Sequence, residues 1–147
     1  MNIIIMNNRA SFLVSFWSVL ISRLREEGHQ VTCLVPAGDS EAETTLKGLG
    51  ANVRNYPLDN KGLNPVHDLK TCFALYKVFH EERADILYAS TIKSVIYGIP
   101  MAALAGIRSR YAMITGLGYM FEANTPAKKM LTYLASFLYR ISHSFSN

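Results

Sequence analysis

Polar side chains follow the first apolar run of this chain, in the segment NNRAS at positions 7–11. A loop between a first strand and a first helix commonly holds an anion against the helix amino-terminus. The GxGxxG pattern of dinucleotide-binding folds is absent, because no glycine precedes Gly28. We therefore predict contact with a polar ligand other than a dinucleotide; ordinary loop packing is the alternative. The predicted contact residues are Asn7, Asn8, Arg9 and Ser11, with Phe12 at the end of the same segment.

A second candidate group is formed by Thr91 and Lys93, which follow another apolar run at 85–89. We expect Ser90 or Thr91 to cap a helix there, which places Lys93 in its first turn. A lysine at a helix amino-terminus opposes the helix dipole, so an anionic ligand or a carboxylate near Lys93 would offset that cost. A solvated lysine is the simpler alternative.

A glycine-punctuated loop, TGLGY at 115–119, is expected at the end of a further strand. Gly116 and Gly118 permit backbone conformations closed to other residues and leave room for a ligand beside the main chain. Thr115 and Tyr119 add a hydroxyl and an aromatic ring. We predict ligand contact at these four residues, with a tight turn that closes the sheet as the alternative.

Metal and nucleophile chemistry is not indicated by the histidines and cysteines. The four histidines have no metal-ligand spacing and no serine or cysteine nucleophile motif beside them. Cys33 and Cys72 each lie in an apolar element, as expected of packing residues in a reducing compartment. We predict no metal site.

The elements that must position these residues alternate along the chain. Apolar runs at 2–6, 30–35, 51–56, 85–89 and 110–115 predict strands, and the segments 12–27, 40–46, 66–82, 91–105 and 126–142 predict helices. This order predicts an α/β fold, a Rossmann-like doubly wound parallel sheet with helices on both faces. Ligands of such sheets bind at the carboxyl ends of the strands.

Helix details are also expected from the pattern. Ser40 and Glu43 resemble a capping box, and Pro100 is expected to kink or divide its helix. Two helices show apolar residues at a spacing of about 3.6, which we take as their core-facing sides. The first set is Phe12, Phe16, Val19, Leu20 and Leu24, and the second is Leu69, Cys72, Phe73, Tyr76 and Phe79.

Composition narrows the class of protein. Half of the 147 residues are hydrophobic, which excludes a disordered chain, and no apolar run reaches the roughly 18 residues that cross a bilayer. The net charge of +4 lies entirely in residues 108–147. The segment 126–142 there is basic, aromatic and amphipathic, which suits either a membrane interface or packing on the sheet or on another domain. Basic residues are too few to favour a nucleic-acid partner.

The order and spacing of several segments resemble the amino-terminal domain of bacterial family 4 glycosyltransferases, which have the GT-B fold. The resemblance covers nearly the whole chain. It rests on SFLVSFWSVLISRLREEGHQVTCLVP, DNKGLNPVHD, DILYASTIKSVIYGIPMAALAGI and ITGLGYMF.

The resemblance implies that residues 1–147 form the acceptor-binding half of a hexosyltransferase. A nucleotide-sugar donor would bind a carboxyl-terminal domain outside these residues, no other cofactor would be needed, and this half alone would be inactive. The acceptor would be a saccharide, usually lipid-linked, in surface-polysaccharide or O-antigen (lipopolysaccharide) assembly. The location would be cytoplasmic, with peripheral contact at the inner membrane. Many relatives carry a T-x-H-G loop with a histidine at the reaction centre; here Gly116 directly follows Thr115, which leaves Thr115 as the candidate catalytic residue.

Two other readings stay open from the residues. One is a GT-B enzyme such as a sugar-nucleotide 2-epimerase, although the acidic and histidine residues of that site cannot be placed here. The other is a non-catalytic flavodoxin-like binding domain, although the loop at 7–11 lacks both paired acids and a Ser/Thr/Gly-rich phosphate loop.

Overall fold

The computed structural model describes residues 1–58 and 65–113, in which five strands and four helices alternate. The strands are β1 (Asn2–Met6), β2 (Gln30–Val35), β3 (Asn52–Asn55), β4 (Ile86–Ser90) and β5 (Ser109–Met113). The helices are α1 (Ala10–Glu26), α2 (Ser40–Gly48), α3 (Pro65–Glu82) and α4 (Ile92–Leu104). The predicted elements up to residue 113 are confirmed, and the predicted helix 126–142 lies outside the described residues.

All neighbouring strands are parallel, and their order is β3-β2-β1-β4-β5. The chain therefore builds outward from β1 to β3, crosses the sheet, and builds outward again from β4. In the centre of the sheet, Ile5 pairs with Cys33 of β2 and with Tyr88 of β4. This is the doubly wound parallel sheet that the alternating pattern predicts.

Helices cover both faces of the sheet. Ile3 and Ile5 of β1 face a core shared with α1 and α2, whereas Ile4 and Met6 face a core shared with α3 and α4. Because successive strand residues point to opposite faces, a central strand covered on both sides must be apolar throughout. That requirement explains the uninterrupted run at the start of the chain.

The predicted core-facing side of α1 is wrong for most of its residues. Leu13 and Ile21 are fully buried, whereas the side chains of Phe16 and Val19 are 72% and 82% exposed. The helix is apolar around most of its circumference, so the 3.6-residue spacing fits two different stripes. The stripe that packs on the sheet contains Leu13, Trp17, Ile21 and Leu24.

The same correction applies to α3. Its buried side contains Thr71, Leu75, Val78 and Phe79, so of the predicted set Phe79 is fully buried and Cys72 is half-buried. Leu69, Phe73 and Tyr76 are exposed instead. Here a threonine occupies a core position, because its hydroxyl donates to the backbone oxygens of Pro57 and His67 at 2.7 and 3.0 Å.

Two helix-boundary predictions also change. The N-cap of α2 is Asp39 and not Ser40, because the Asp39 carboxylate accepts a hydrogen bond of 3.2 Å from the Ala42 N–H. Its other oxygen accepts from the Ser11 N–H at 3.2 Å, which ties the start of α2 to the start of α1. Pro100 lies inside α4, so the expected division of the helix is wrong, and the alternative of a kink stays a prediction.

Candidate functional site

The loops after β1 and β4 meet at the carboxyl edge of the sheet. β1 and β4 are hydrogen-bonded neighbours, yet the chain leaves β1 toward β2 and leaves β4 toward β5. The two connections therefore diverge to opposite faces of the sheet, and the position between them is here called the crevice. In open parallel sheets this reversal point is the usual ligand-binding position.

Asn7 joins these two loops from inside the protein. Its side-chain Nδ2 donates to Ser90 Oγ at 2.7 Å, and both residues are fully buried. Ser90 Oγ in turn donates to the Met6 carbonyl oxygen at 3.3 Å. The Asn7 Oδ1 accepts from the Arg9 N–H at 2.9 Å, which fixes the turn that precedes α1. Asn7 thus shapes the loop and is not free to contact a ligand.

A chain of hydroxyl groups connects the same two loops by a second route. The Tyr56 hydroxyl donates to the Asn7 carbonyl oxygen at 3.2 Å and lies 3.4 Å from Ser94 Oγ. Because the Tyr56 hydroxyl gives its one proton to the Asn7 carbonyl, the Ser94 hydroxyl is the donor in the contact between Ser94 and Tyr56. Ser94 Oγ in turn accepts a hydrogen bond of 3.2 Å from Thr91 Oγ1. Burial raises the pKa of Tyr56 above its ordinary value, which keeps its hydroxyl protonated as a donor.

Thr91 has an unusual backbone conformation at the start of α4. Its φ of +80° and ψ of 155° fall in a region that is occupied almost only by glycine. Thr91 is the N-cap residue of α4, as predicted, but its hydroxyl donates to Ser94 Oγ and makes no capping bond to a backbone N–H group. Such a conformation costs about 1–3 kcal/mol and persists only where its surroundings hold it. Here the bonded Ser94 hydroxyl and the Asn7–Ser90 link provide that support.

Of the predicted contact residues up to residue 93, Asn8, Arg9, Thr91 and Lys93 belong to the two segments that flank this crevice. Asn8 is half-buried and Arg9 is exposed, directly beside the Asn7–Ser90 link. Lys93 is half-buried in the first turn of α4. Asn8 and Arg9 therefore follow one member of the bonded Asn7–Ser90 pair and Thr91 follows the other, with Lys93 in the first turn of α4.

Ser11 and Phe12 point away from that group. Ser11 lies beside α2 and lines a cavity of about 200 Å³ together with Asp39 and Thr45. The Phe12 ring lies along α1, with its centroid 4.6 Å from that of Phe16. Ser11 and Phe12 are close to Arg9 in the sequence, but the first turn of α1 directs their side chains away from Arg9.

The remaining predicted residues, Thr115, Gly116, Gly118 and Tyr119, lie outside the described residues. Across 1–58 and 65–113, no group of three histidine, cysteine or acidic side chains is arranged to hold a metal ion. In the same ranges no helix has the length and apolarity needed to cross a bilayer.

Sequence reasoning missed the buried polar residues that build the crevice: Asn7 as a structural group, Tyr56, Ser90 and Ser94. One signal was available. Ser90 and Ser94 are hydroxyl residues inside the apolar stretch DILYASTIKSVIYG, and buried hydroxyls need hydrogen-bond partners. Their partners, however, lie up to 84 residues away in the sequence.

Comparison with known proteins gives one strong sequence match. The chain is 27% identical over 147 residues to N,N'-diacetylbacillosaminyl-diphospho-undecaprenol alpha-1,3-N-acetylgalactosaminyltransferase from Campylobacter jejuni subsp. jejuni serotype O:2. The match takes in 100% of this chain and 39% of that relative. The chain therefore spans about two fifths of the length of this relative.

Solved structures share the fold. MurG from Acinetobacter baumannii has a TM-score of 0.59 and 19% identity, over 77% of this chain and 33% of that one. A UDP-N-acetylglucosamine 2-epimerase has a TM-score of 0.63 and 10% identity, over 99% of this chain and 38% of that one. At such identities the likeness concerns the fold alone, so it does not favour the epimerase reading. The sequence profile named glycosyl transferase 4-like domain matches residues 15–144, nearly the whole chain, and this chain therefore belongs to the glycosyl transferase 4-like family.

Proposed function

We propose that this chain is the acceptor-binding half of a glycosyltransferase that moves a sugar from a nucleotide-sugar donor to a saccharide acceptor. The observation that carries the proposal is the crevice between the β1 and β4 loops, in a chain that belongs to a glycosyltransferase family. Family membership supplies the reaction class, and the crevice supplies a place for the acceptor.

The acceptor is proposed to be lipid-linked, and the pathway to be surface-polysaccharide or O-antigen assembly. The name of the Campylobacter relative specifies a saccharide carried on diphospho-undecaprenol, which supports this acceptor class. Arg9 and Lys93 provide positive charge at the crevice, where a diphosphate group would be attracted. A cytoplasmic enzyme in peripheral contact with the inner membrane would meet both substrates.

The role of this domain in catalysis would be to position the acceptor. In the reaction type proposed, the donor phosphates leave with the nucleotide and positive charge develops on the transferred sugar. The acceptor hydroxyl must then be held close to that carbon in the right orientation, which lowers the barrier without a covalent intermediate. Asn8, Arg9 and Thr91 would hold the acceptor, and Thr115 with Gly116 would lie nearest the reacting atoms.

A second domain is proposed to bind the nucleotide-sugar, and no further cofactor or metal ion is proposed. The limited share of the relative that this chain spans is consistent with a donor domain elsewhere in the full-length protein. Residues 1–147 alone are then expected to transfer no sugar.

The test is transfer by the purified full-length protein, with a panel of nucleotide-sugars and a lipid-diphosphate-linked saccharide, read by mass spectrometry. The expected result is a gain of one hexose or N-acetylhexosamine residue on the acceptor. Conversion of a nucleotide-sugar to its epimer, with the acceptor unchanged, would instead support the epimerase reading. A 147-residue chain that transfers sugar at the full-length rate would contradict the two-domain proposal.

A further inference from the structure

Tyr56 is buried at the carboxyl edge of the sheet, where it directly follows β3. Its backbone N–H donates to the Val35 carbonyl oxygen at 3.2 Å, which extends the pairing of β3 with β2 by one residue. The side chain is 2% exposed and packs in the core that α3 and α4 share with the sheet. Since β2 lies between β3 and β1, the side chain extends from the outer strand toward the centre of the sheet, where its hydroxyl meets Asn7.

The hydroxyl group of Tyr56 is not needed to fill this core, because a phenylalanine ring would occupy the same space. A buried hydroxyl costs free energy unless it is hydrogen-bonded, so its contribution depends on its partners. It donates to the Asn7 carbonyl oxygen at 3.2 Å and accepts from the Ser94 hydroxyl at 3.4 Å. Asn7 follows β1 and Ser94 lies in the first turn of α4, so the Tyr56 oxygen connects the two segments that flank the crevice.

Both partners of Tyr56 are bonded to proposed acceptor contacts. On the β1 side, the Asn7 carbonyl belongs to the peptide bond that leads to Asn8. On the α4 side, Ser94 Oγ accepts a hydrogen bond of 3.2 Å from Thr91 Oγ1. Thr91 has a φ of +80°, a conformation that persists only where the surrounding structure holds it. The contact between Tyr56 and Ser94 therefore supports the one strained residue of this segment.

We propose that Tyr56 is a positioning residue for the acceptor, and that its hydroxyl sets the spacing between the loop after β1 and the start of α4. An acceptor held by both segments binds well only when the two are correctly placed relative to each other. Tyr56 is too buried to touch the acceptor itself, so it acts through Asn7 and Ser94. This inference rests on the proposed function, because it assigns Tyr56 to the acceptor side of that reaction.

The first test is the steady-state kinetics of the full-length enzyme carrying Tyr56→Phe, which removes the hydroxyl and keeps the ring. The value of kcat/KM for the acceptor is expected to fall by about tenfold, mainly through KM, because small misplacements of a substrate have large effects on rate. The donor KM is expected to be unchanged. A residue with a merely structural role would instead lower the fraction of folded enzyme, which reduces kcat and leaves the acceptor KM unchanged.

The matched control is Thr32→Val, which removes another buried hydroxyl on the same face of the sheet. Thr32 lies in β2, is 4% exposed, and donates to the Glu82 carboxylate at 3.1 Å. Glu82 is the last residue of α3, which ends at the opposite edge of the sheet from the crevice because it leads into β4. Both variants are expected to lower the urea midpoint of unfolding, whereas only Tyr56→Phe is expected to change the acceptor KM.

A double-mutant cycle tests the route through Ser94. Ser94→Ala is expected to reproduce the loss of about tenfold in kcat/KM for the acceptor, because it removes the contact with Tyr56 from the other side. The variant Tyr56→Phe/Ser94→Ala is expected to be no more than about twofold worse than either single variant, since both changes break the same connection. Independent effects would multiply to a loss of about 100-fold.

Amide hydrogen exchange of the full-length protein, read by mass spectrometry, tests the connection without an activity assay. Tyr56→Phe is expected to speed exchange at least about threefold in peptides that cover 7–11 and 91–96, because local opening of both segments becomes easier. Thr32→Val is expected to leave the same peptides within about 1.5-fold of the wild type.

Three results would overturn the positioning role. The first is an unchanged kcat/KM for the acceptor in Tyr56→Phe, the second is a loss in the double variant that equals the product of the single losses, and the third is equal acceleration of exchange in Tyr56→Phe and Thr32→Val. A wild-type protein that transfers no sugar would contradict the proposed function instead. Exchange would then still decide whether Tyr56 holds the two segments together, and unchanged exchange in Tyr56→Phe would show that it does not.

Discussion

Asn7 and Ser90 form a buried hydrogen bond of 2.7 Å across 83 residues of sequence. The bond joins the ends of β1 and β4, the two strands between which the chain reverses its direction of winding. Whatever binds in the crevice above them meets a loop whose shape this pair determines. The bond therefore links the stability of the fold to the geometry of the candidate site.

Ser90→Ala is expected to destabilise the protein by about 1–3 kcal/mol, because it leaves the buried Asn7 side-chain N–H group without its partner. Urea unfolding at neutral pH measures this cost. Ser15→Ala in α1 is the control, since Ser15 is exposed and should change the free energy of unfolding by less than about 0.5 kcal/mol. Equal values for the two variants would show that the Asn7–Ser90 bond adds no stability.

Thr91→Gly is expected to be more stable than Thr91→Ala by about 1 kcal/mol or more, because glycine adopts a φ of +80° without the strain that a Cβ imposes. Both variants lose the hydroxyl bond to Ser94, so their difference isolates the backbone term. Thermal unfolding of the two variants measures this difference in stability. An alanine variant as stable as the glycine variant would mean that position 91 is not strained.

Gly98→Ala is expected to lower stability by about 1–3 kcal/mol, since a Cβ at position 98 would lie 2.7 Å from the sulfur of Met6. α4 packs against β1 at this point, so the clash would displace the helix that begins at Thr91. Gly48→Ala in α2 is the matched control, because nothing lies within 4 Å of its added methyl group. That control should gain up to about 1 kcal/mol from helix propensity. A gain at both positions would contradict the close packing of α4 on β1.

Alkaline pH is expected to destabilise the fold through Cys33. Burial raises the pKa of this thiol to about 12, from 9.0 in the unfolded chain. The folded state then holds a proton that the unfolded state releases, so the stability that is present below pH 9 falls as the pH rises from 9 toward 12. The slope contributed by one such group is at most about 1.4 kcal/mol per pH unit.

Urea unfolding between pH 7 and pH 10 under reducing conditions measures this slope. Cys33→Ala should remove the larger part of the loss between pH 9 and pH 10; a smaller part should remain, because burial also raises the pKa of Cys72. Cys72→Ala should keep most of the wild-type slope, since Cys72 is only half-buried. If Cys33→Ala showed the unchanged wild-type slope, burial of this thiol would not be the cause.

The sheet was predictable from the sequence because its requirements are local. A strand buried on both faces is mostly apolar, and 2–6 and 30–35 show this apart from Asn2, Gln30 and Thr32. The buried faces of α1 and α3 were not predictable in the same way. Leu13 and Phe16 are equally apolar, and only the position of the sheet decides which of them is covered.

The location of the crevice was predictable from the sequence, but the hydrogen bonds that connect its two loops were not. Alternation of strands and helices predicts parallel strands, so the loops at 7–11 and 90–93 were expected at one edge of the sheet, whereas the pairing of β1 with β4 was not predicted. The hydroxyl chain through Tyr56 and Ser94 depends on contacts between residues 38 and 49 positions apart, which no local pattern encodes. The partial separation of Ser11 from Arg9 has a similar origin, because Asp39 of α2 fixes the Ser11 N–H.

We expect the crevice between the β1 and β4 loops to bind the acceptor. The most direct measurement is the steady-state kinetics of the full-length enzyme carrying Arg9→Ala/Lys93→Ala, beside the control Lys47→Ala, an exposed residue at the end of α2. The acceptor KM is expected to rise by about tenfold or more with the donor KM unchanged, because one or two charge-assisted contacts to the acceptor are lost. An unchanged acceptor KM, or a rise confined to the donor KM, would contradict it.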